Sequence, residues 1–142
     1  MIGDILAFSN RNLPALLYHT HENPLMGSLV RVFCSVEFDT EAIDRALARE
    51  PDFQCFFPVN AAVRRKDLRI LEPRPPQGRW ARFPMFKAEG LSRDTWWLWD
   101  GDREWPYEGA VEAISDYPER ESVNDTMMIS LISKRCVSCI PK

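Results

Sequence analysis

Short apolar runs separated by turn-forming residues dominate the chain, the pattern of a β-rich protein. Residues 2–8 read as a first strand, closed by the turn formers Ser9-Asn10-Arg11-Asn12, and residues 13–20 as a second. After the loop His21-Glu22-Asn23-Pro24, residues 28–36 read as a third strand. Its apolar positions Leu29, Val30, Val32, Phe33 and Val36 fall on both faces, so it is expected to be largely buried. One helix follows. Asp39 or Thr40 can cap it, Glu41 and Asp44 place negative charge at its positive end, and Ile43, Ala46 and Leu47 share a face. Pro51 ends it. Residues 53–59 form a short apolar segment, residues 60–66 a helical turn and residues 68–71 a short strand. Glu72-Pro73-Arg74-Pro75-Pro76 is then a stiff, extended connector.

The richest stretch is Thr95-Trp-Trp-Leu-Trp-Asp-Gly-Asp-Arg-Glu-Trp105. Asp100-Gly101 between aromatic runs predicts a two-residue type I′ hairpin turn. That turn sets Trp99 opposite Asp102, Leu98 opposite Arg103, Trp97 opposite Glu104 and Trp96 opposite Trp105. Side chains alternate across a sheet, so Trp96, Leu98, Arg103 and Trp105 share one face, expected on the core. Trp97, Trp99, Asp102 and Glu104 share the other. Residues 124–133 are ambiguous: Asp125 could cap a short helix, but Met127, Ile129 and Leu131 alternate, and a strand is expected, with a flexible tail from about residue 134.

Composition agrees with one folded unit. The 142 residues are 45% hydrophobic and 27% charged, enough for a single core, and eleven prolines favour short strands and many turns. The fold class expected over 1–142 is α+β: a single compact β-rich domain. Its frame is a bent, mostly antiparallel sheet or partial barrel with one or two packed helices. The apolar runs are too short to span a membrane, and the first residues lack a signal peptide's basic and apolar regions, so a cytoplasmic setting is expected. There the four cysteines should stay reduced. Cys34 and Cys55 read as small core residues, with their pairing left open.

No GxSxG, P-loop, GxGxxG or HExxH motif occurs. Cys136 and Cys139 form a CxxC pair that could share a zinc with His19 and His21, but nothing brings the two ends together. Surface thiols on a tail are the plainer expectation. Either histidine with Cys34 or Cys55 could form a nucleophile pair, again without a feature that positions it. A metal- or thiol-dependent enzyme using His19, His21, Cys136 and Cys139 is therefore the rival reading. No catalytic residue, metal or other cofactor is expected.

Formal net charge is −3, which argues against general binding to nucleic acid or anionic membranes. Charge is uneven, however. Residues 64–82 hold seven basic side chains against Asp67 and Glu72, and residues 100–121 hold eight acids against Arg103 and Arg120. The plain account is two solvated surfaces, complementary or idle. The basic stretch with Trp80, Phe83 and Phe86 also suggests single-stranded nucleic acid, which the net acidity opposes. The acidic stretch suggests a surface for a basic protein partner. Tryptophan in a sheet is usually packing; beside carboxylates on an outer face it also fits an interface hot spot. The candidate partner-binding residues are Trp97, Trp99, Asp100, Asp102, Glu104 and Glu108.

Gly3-Asp4-Ile5-Leu6, Phe57-Pro58-Val59, Phe83-Pro84-Met85-Phe86 and Thr95-Trp96-Trp97-Leu98-Trp99-Asp100-Gly101, in that order, resemble the immunity protein 26 family of bacterial polymorphic-toxin systems. The likeness spans about residues 2–133. It implies a cytoplasmic protein that binds and blocks a cognate toxin, often a nuclease, and it supplies no catalytic residues. The CxxC pair lies outside the family pattern.

Overall fold

Five strands form the larger sheet in the computed structural model, which describes residues 1–9, 12–92 and 94–136. They are β1 (Asp4–Phe8), β2 (Ala15–Asn23), β3 (Gly27–Cys34), β4 (Phe53–Phe56) and β5 (Leu68–Pro73), ordered β4-β3-β2-β1-β5 with antiparallel neighbours. A second antiparallel sheet joins β6 (Phe86–Glu89), β7 (Trp96–Trp99) and β8 (Glu104–Tyr107). Neither sheet closes on itself, so the fold is α+β without the partial barrel allowed by the sequence.

Strand alternation sorts the apolar side chains of the larger sheet onto two faces. Leu6, Leu17, Val30, Val32 and Cys55 lie against α2 (Val59–Arg64) and α3 (Asp125–Arg135), through Ala62, Met128 and Ile132. The opposite face carries Ile5, Leu16, Tyr18 and Phe33 against Ile43 and Ala46 of α1 (Thr40–Leu47) and Trp80 of the 3-10 turn Gly78–Ala81. Farther along that face, Leu29 and Phe56 meet Phe86 and Trp99 of the small sheet. The sheet is thus covered on both sides, which is why β1 and most of β3 are buried throughout.

The segment Pro118–Val123 stitches the two sheets together. Lys87 of β6 donates its amide to Pro118 O (2.9 Å) and accepts from Arg120 N (2.9 Å). Phe56 of β4 donates to Glu121 O (3.0 Å) and accepts from Val123 N (2.9 Å).

Three local expectations are corrected. Residues 124–133 are helical: Asn124 accepts the Met127 amide at 2.8 Å as N-cap, and Met128 and Ile132, four apart, are the buried pair. The alternating Met127, Ile129 and Leu131 lie at the exposed or half-buried positions instead. Nor does a loose tail begin at 134, since α3 continues to Arg135 and Cys136 is fully buried. Cys136 is joined to Cys34 by a disulfide with a Cα–Cα distance of 5.3 Å, so these two cysteines are not free thiols. Cys139 lies outside the described residues, as do Asn10 and Arg11 of the first expected turn.

The β7–β8 turn also differs. A type I′ turn needs positive φ at both Asp100 and Gly101, and only Gly101 adopts it (φ 98°). The Asp100 carboxylate instead accepts the amides of Asp102 (2.9 Å) and Arg103 (2.7 Å), and Asp100 N donates to Arg103 O. Pairing therefore begins with Trp99 opposite Glu104 and continues with Leu98–Trp105, Trp97–Pro106 and Trp96–Tyr107. The slip is two residues. Parity is kept, so Trp97, Trp99 and Glu104 still share a face.

Candidate interaction surface

Asn23, at the end of β2, locks the small sheet in place. Its Oδ1 accepts the amides of Leu25 and Met26 (2.9 and 3.0 Å), while Nδ2 donates to Gly101 O at 2.9 Å. The turn bearing Asp100 and Asp102 is thereby tied to the β2–β3 corner. The amide of Arg103, then that of Asp102, holds the Asp100 carboxyl below its usual value. Asp100 is the organiser of this turn.

The two indoles expected on an outer face lie instead on the side of the small sheet turned toward the larger one, in different environments. Trp99 is 4% exposed, packed among Phe56, Phe83 and Phe86 with ring centroids 5.3–5.8 Å apart. Arg120 covers it, the guanidinium 5.1 Å from the ring centroid, and bonds Glu104 at 3.0 Å. Trp97 is 38% exposed. Asp102 and Glu108 are exposed and, among the described residues, in no ion pair.

The face expected on the core is instead only partly covered. Leu98 is buried, Trp105 is 37% exposed, and Lys87 lies 5.2 Å from the Trp96 ring while donating to Ile114 O and Ser115 O. The Phe86–Trp99 side faces the larger sheet because Leu29 and Phe56 present the complementary apolar patch there.

Three of the seven basic side chains of residues 64–82 are held in ion pairs within the chain. Arg65 pairs with Asp67 and Asp125, Arg74 with Glu72 and Asp44, and Arg79 with Glu50 while lying 4.3 Å from the Trp80 ring. None of these pairs reaches residues 100–121. Arg31, unremarked in the sequence, is 5% exposed, donates to Thr20 Oγ1 and Arg82 O, and lies 5.2 Å from Trp80. Burial lowers its pKa to about 10, still protonated at neutral pH.

The residues of the rival chemistry have separate engagements. His19 is 1% exposed; its Nε2 comes within 2.7 Å of Glu22 Oε1 but out of line for a hydrogen bond. A bulge between His19 and His21 sends His21 elsewhere, to Ala81 O (3.0 Å) and the edge of Phe83. Burial lowers both imidazole pKa values. Cys136 is in the disulfide, and burial pushes the Cys55 thiol up to about 12, so neither presents a thiolate at neutral pH. Among the described residues, no three His, Cys, Asp or Glu side chains cluster to hold a metal, and no helix is long and apolar enough to cross a membrane.

The chain matches no family model, no curated protein and no solved structure.

Proposed function

We propose that this is a non-enzymatic binding protein that captures a basic protein partner, in the manner of an immunity protein neutralising a cognate toxin. The observation that carries the reading is Trp97, a half-open indole in a strand followed by Asp102 and Glu108, which are exposed and in no ion pair among the described residues. A rigid aromatic anchor beside charge is the composition of a hot spot. Trp99, two residues along the same strand face, anchors the small sheet to the core, and Asp100 shapes the turn that presents Asp102. Glu104 and Glu108 extend the acidic rim, which favours a basic partner by steering encounter and rejecting like charge. The ordered aromatic motifs resemble those of the immunity protein 26 family, which favours a toxin as the partner, a nuclease among the expected targets.

A pulldown with the protein encoded next to this one tests the reading. Trp97→Ala is expected to weaken capture by about 2 kcal/mol or more, and Asp102→Lys with Glu108→Lys to slow association. Capture unaffected by all three substitutions, or no capture by the unaltered chain, overturns it.

A further inference from the structure

A groove of about 480 Å³ runs along the outer edge of β4, lined there by Asp52, Phe53 and Gln54. β4 ends the order of the larger sheet, so its outer edge has no strand beside it. The stitching segment pairs with that edge only at Phe56, then turns to β6 at Lys87. By strand alternation, the backbone of Gln54 points the same way as that of Phe56, into the gap left by the turn. Its side-chain Oε1 is sealed from solvent and accepts no hydrogen bond from the described residues. The free strand edge and the residue that carries this unpartnered acceptor therefore border the same groove.

The charges around the groove select among occupants. Its two cations are directed onto this chain: Lys87 donates to Ile114 O and Ser115 O, and Arg135 lies 5.9 Å from the Phe53 ring. Asp52 is held by Arg49 and by the Cys34 amide. Asp116, Glu119 and Glu121 also line the groove, are exposed, and form no ion pair among the described residues. An acceptor-rich slot with unpaired carboxylates fits a cation that brings several donors. The other sheet is less suited to strand addition. β6 is paired by the stitching segment, and β8 contains Pro106, which has no amide to donate.

We propose that this groove binds an extended, basic segment of a partner protein by strand addition to β4, seating an arginine or lysine side chain among Asp116, Glu119 and Glu121. The site is distinct from the Trp97 surface: Lys87 pairs with Leu98, so the groove lies on the side of the small sheet opposite Trp97. It stands whether or not the partner is a toxin.

The probe is a capped Val-Thr-Arg-Thr-Val peptide titrated into the ¹⁵N-labelled full chain, with two controls: glutamate in place of arginine, and an N-methylated backbone. The arginine peptide is expected to shift the Gln54 backbone and side-chain amide signals saturably and to slow exchange of the Gln54 backbone amide. Asp116→Asn with Glu119→Gln, both exposed positions, should weaken binding about tenfold, whereas Trp97→Ala should leave it unchanged. Absence of the Gln54 shift, or equal binding by either control, overturns the proposal. Loss of toxin capture in Trp97→Ala with the peptide still bound would separate the two surfaces.

Discussion

Arg120 lies 5.1 Å from the centre of the Trp99 ring while holding Glu104 at 3.0 Å, so one side chain of the stitching segment covers the indole and ties down the acid paired with it. The relationship separates two tryptophans that share a strand face. Trp99→Ala is expected to cost about 3–5 kcal/mol of stability, the range for removing a core aromatic. Trp97→Ala should cost about 1 kcal/mol or less. Arg120→Ala should fall near 1 kcal/mol, because its ion pair is partly solvated and its ring contact modest. Urea denaturation of the three variants checks the order, and equal losses for Trp97 and Trp99 would contradict it.

The Cys34–Cys136 bond spans 102 residues of sequence. A closure of that length chiefly restricts the unfolded chain, so dithiothreitol or Cys34→Ser is expected to lower stability by about 2–4 kcal/mol. The comparison is between oxidised and reduced protein under one denaturant series. Identical midpoints would show that packing of Ile132 and Met128 alone holds α3.

Asn124 tests the helix assignment directly. Its Oδ1 accepts the Met127 amide at 2.8 Å, and Asn124→Ala should cost about 1 kcal/mol, with Asn124→Asp close to neutral. A strand at 124–133 would show no such preference. Thermal melts of the two variants distinguish these outcomes.

Stability should fall on mild acidification. Burial lowers the pKa of His19 and His21 below their ordinary 6.5, with Glu22 only partly opposing it at His19. The unfolded chain then binds protons more readily than the folded one. The imidazole contribution is complete above about pH 6.5 and declines as pH drops through that value toward the folded-state pKa values. Denaturation midpoints at about pH 7.5 and about pH 5.5 should differ in that direction, and His19→Gln should reduce the difference.

The strands were legible where alternation and turn residues agreed, as in β1 to β3, and α1 was legible because Asp39, Ile43 and Ala46 mark cap and buried face together. At 124–136 the local signals conflicted. The alternation of Met127, Ile129 and Leu131 obscured the four-residue spacing of Met128 and Ile132, which decides burial once the larger sheet is present. The Asp100-Gly101 turn was located but not its type, since the Asp100 side chain outcompetes a second positive φ. The division of the indoles survived because the slip was even. Which face would be buried did not follow, because it depends on Leu29 and Phe56, elements remote in sequence. Cys34 and Cys136 are likewise joined only by the folded topology. Gln54 gave a faint signal: a polar residue inside Phe-Gln-Cys-Phe-Phe marks an edge strand.

The sulfur link also changes what a protease would leave behind. A single cut in the chain between residues 34 and 136 yields two fragments that migrate as one species until a reductant is added. A loop severed by a host or partner enzyme would therefore not release either half of this protein.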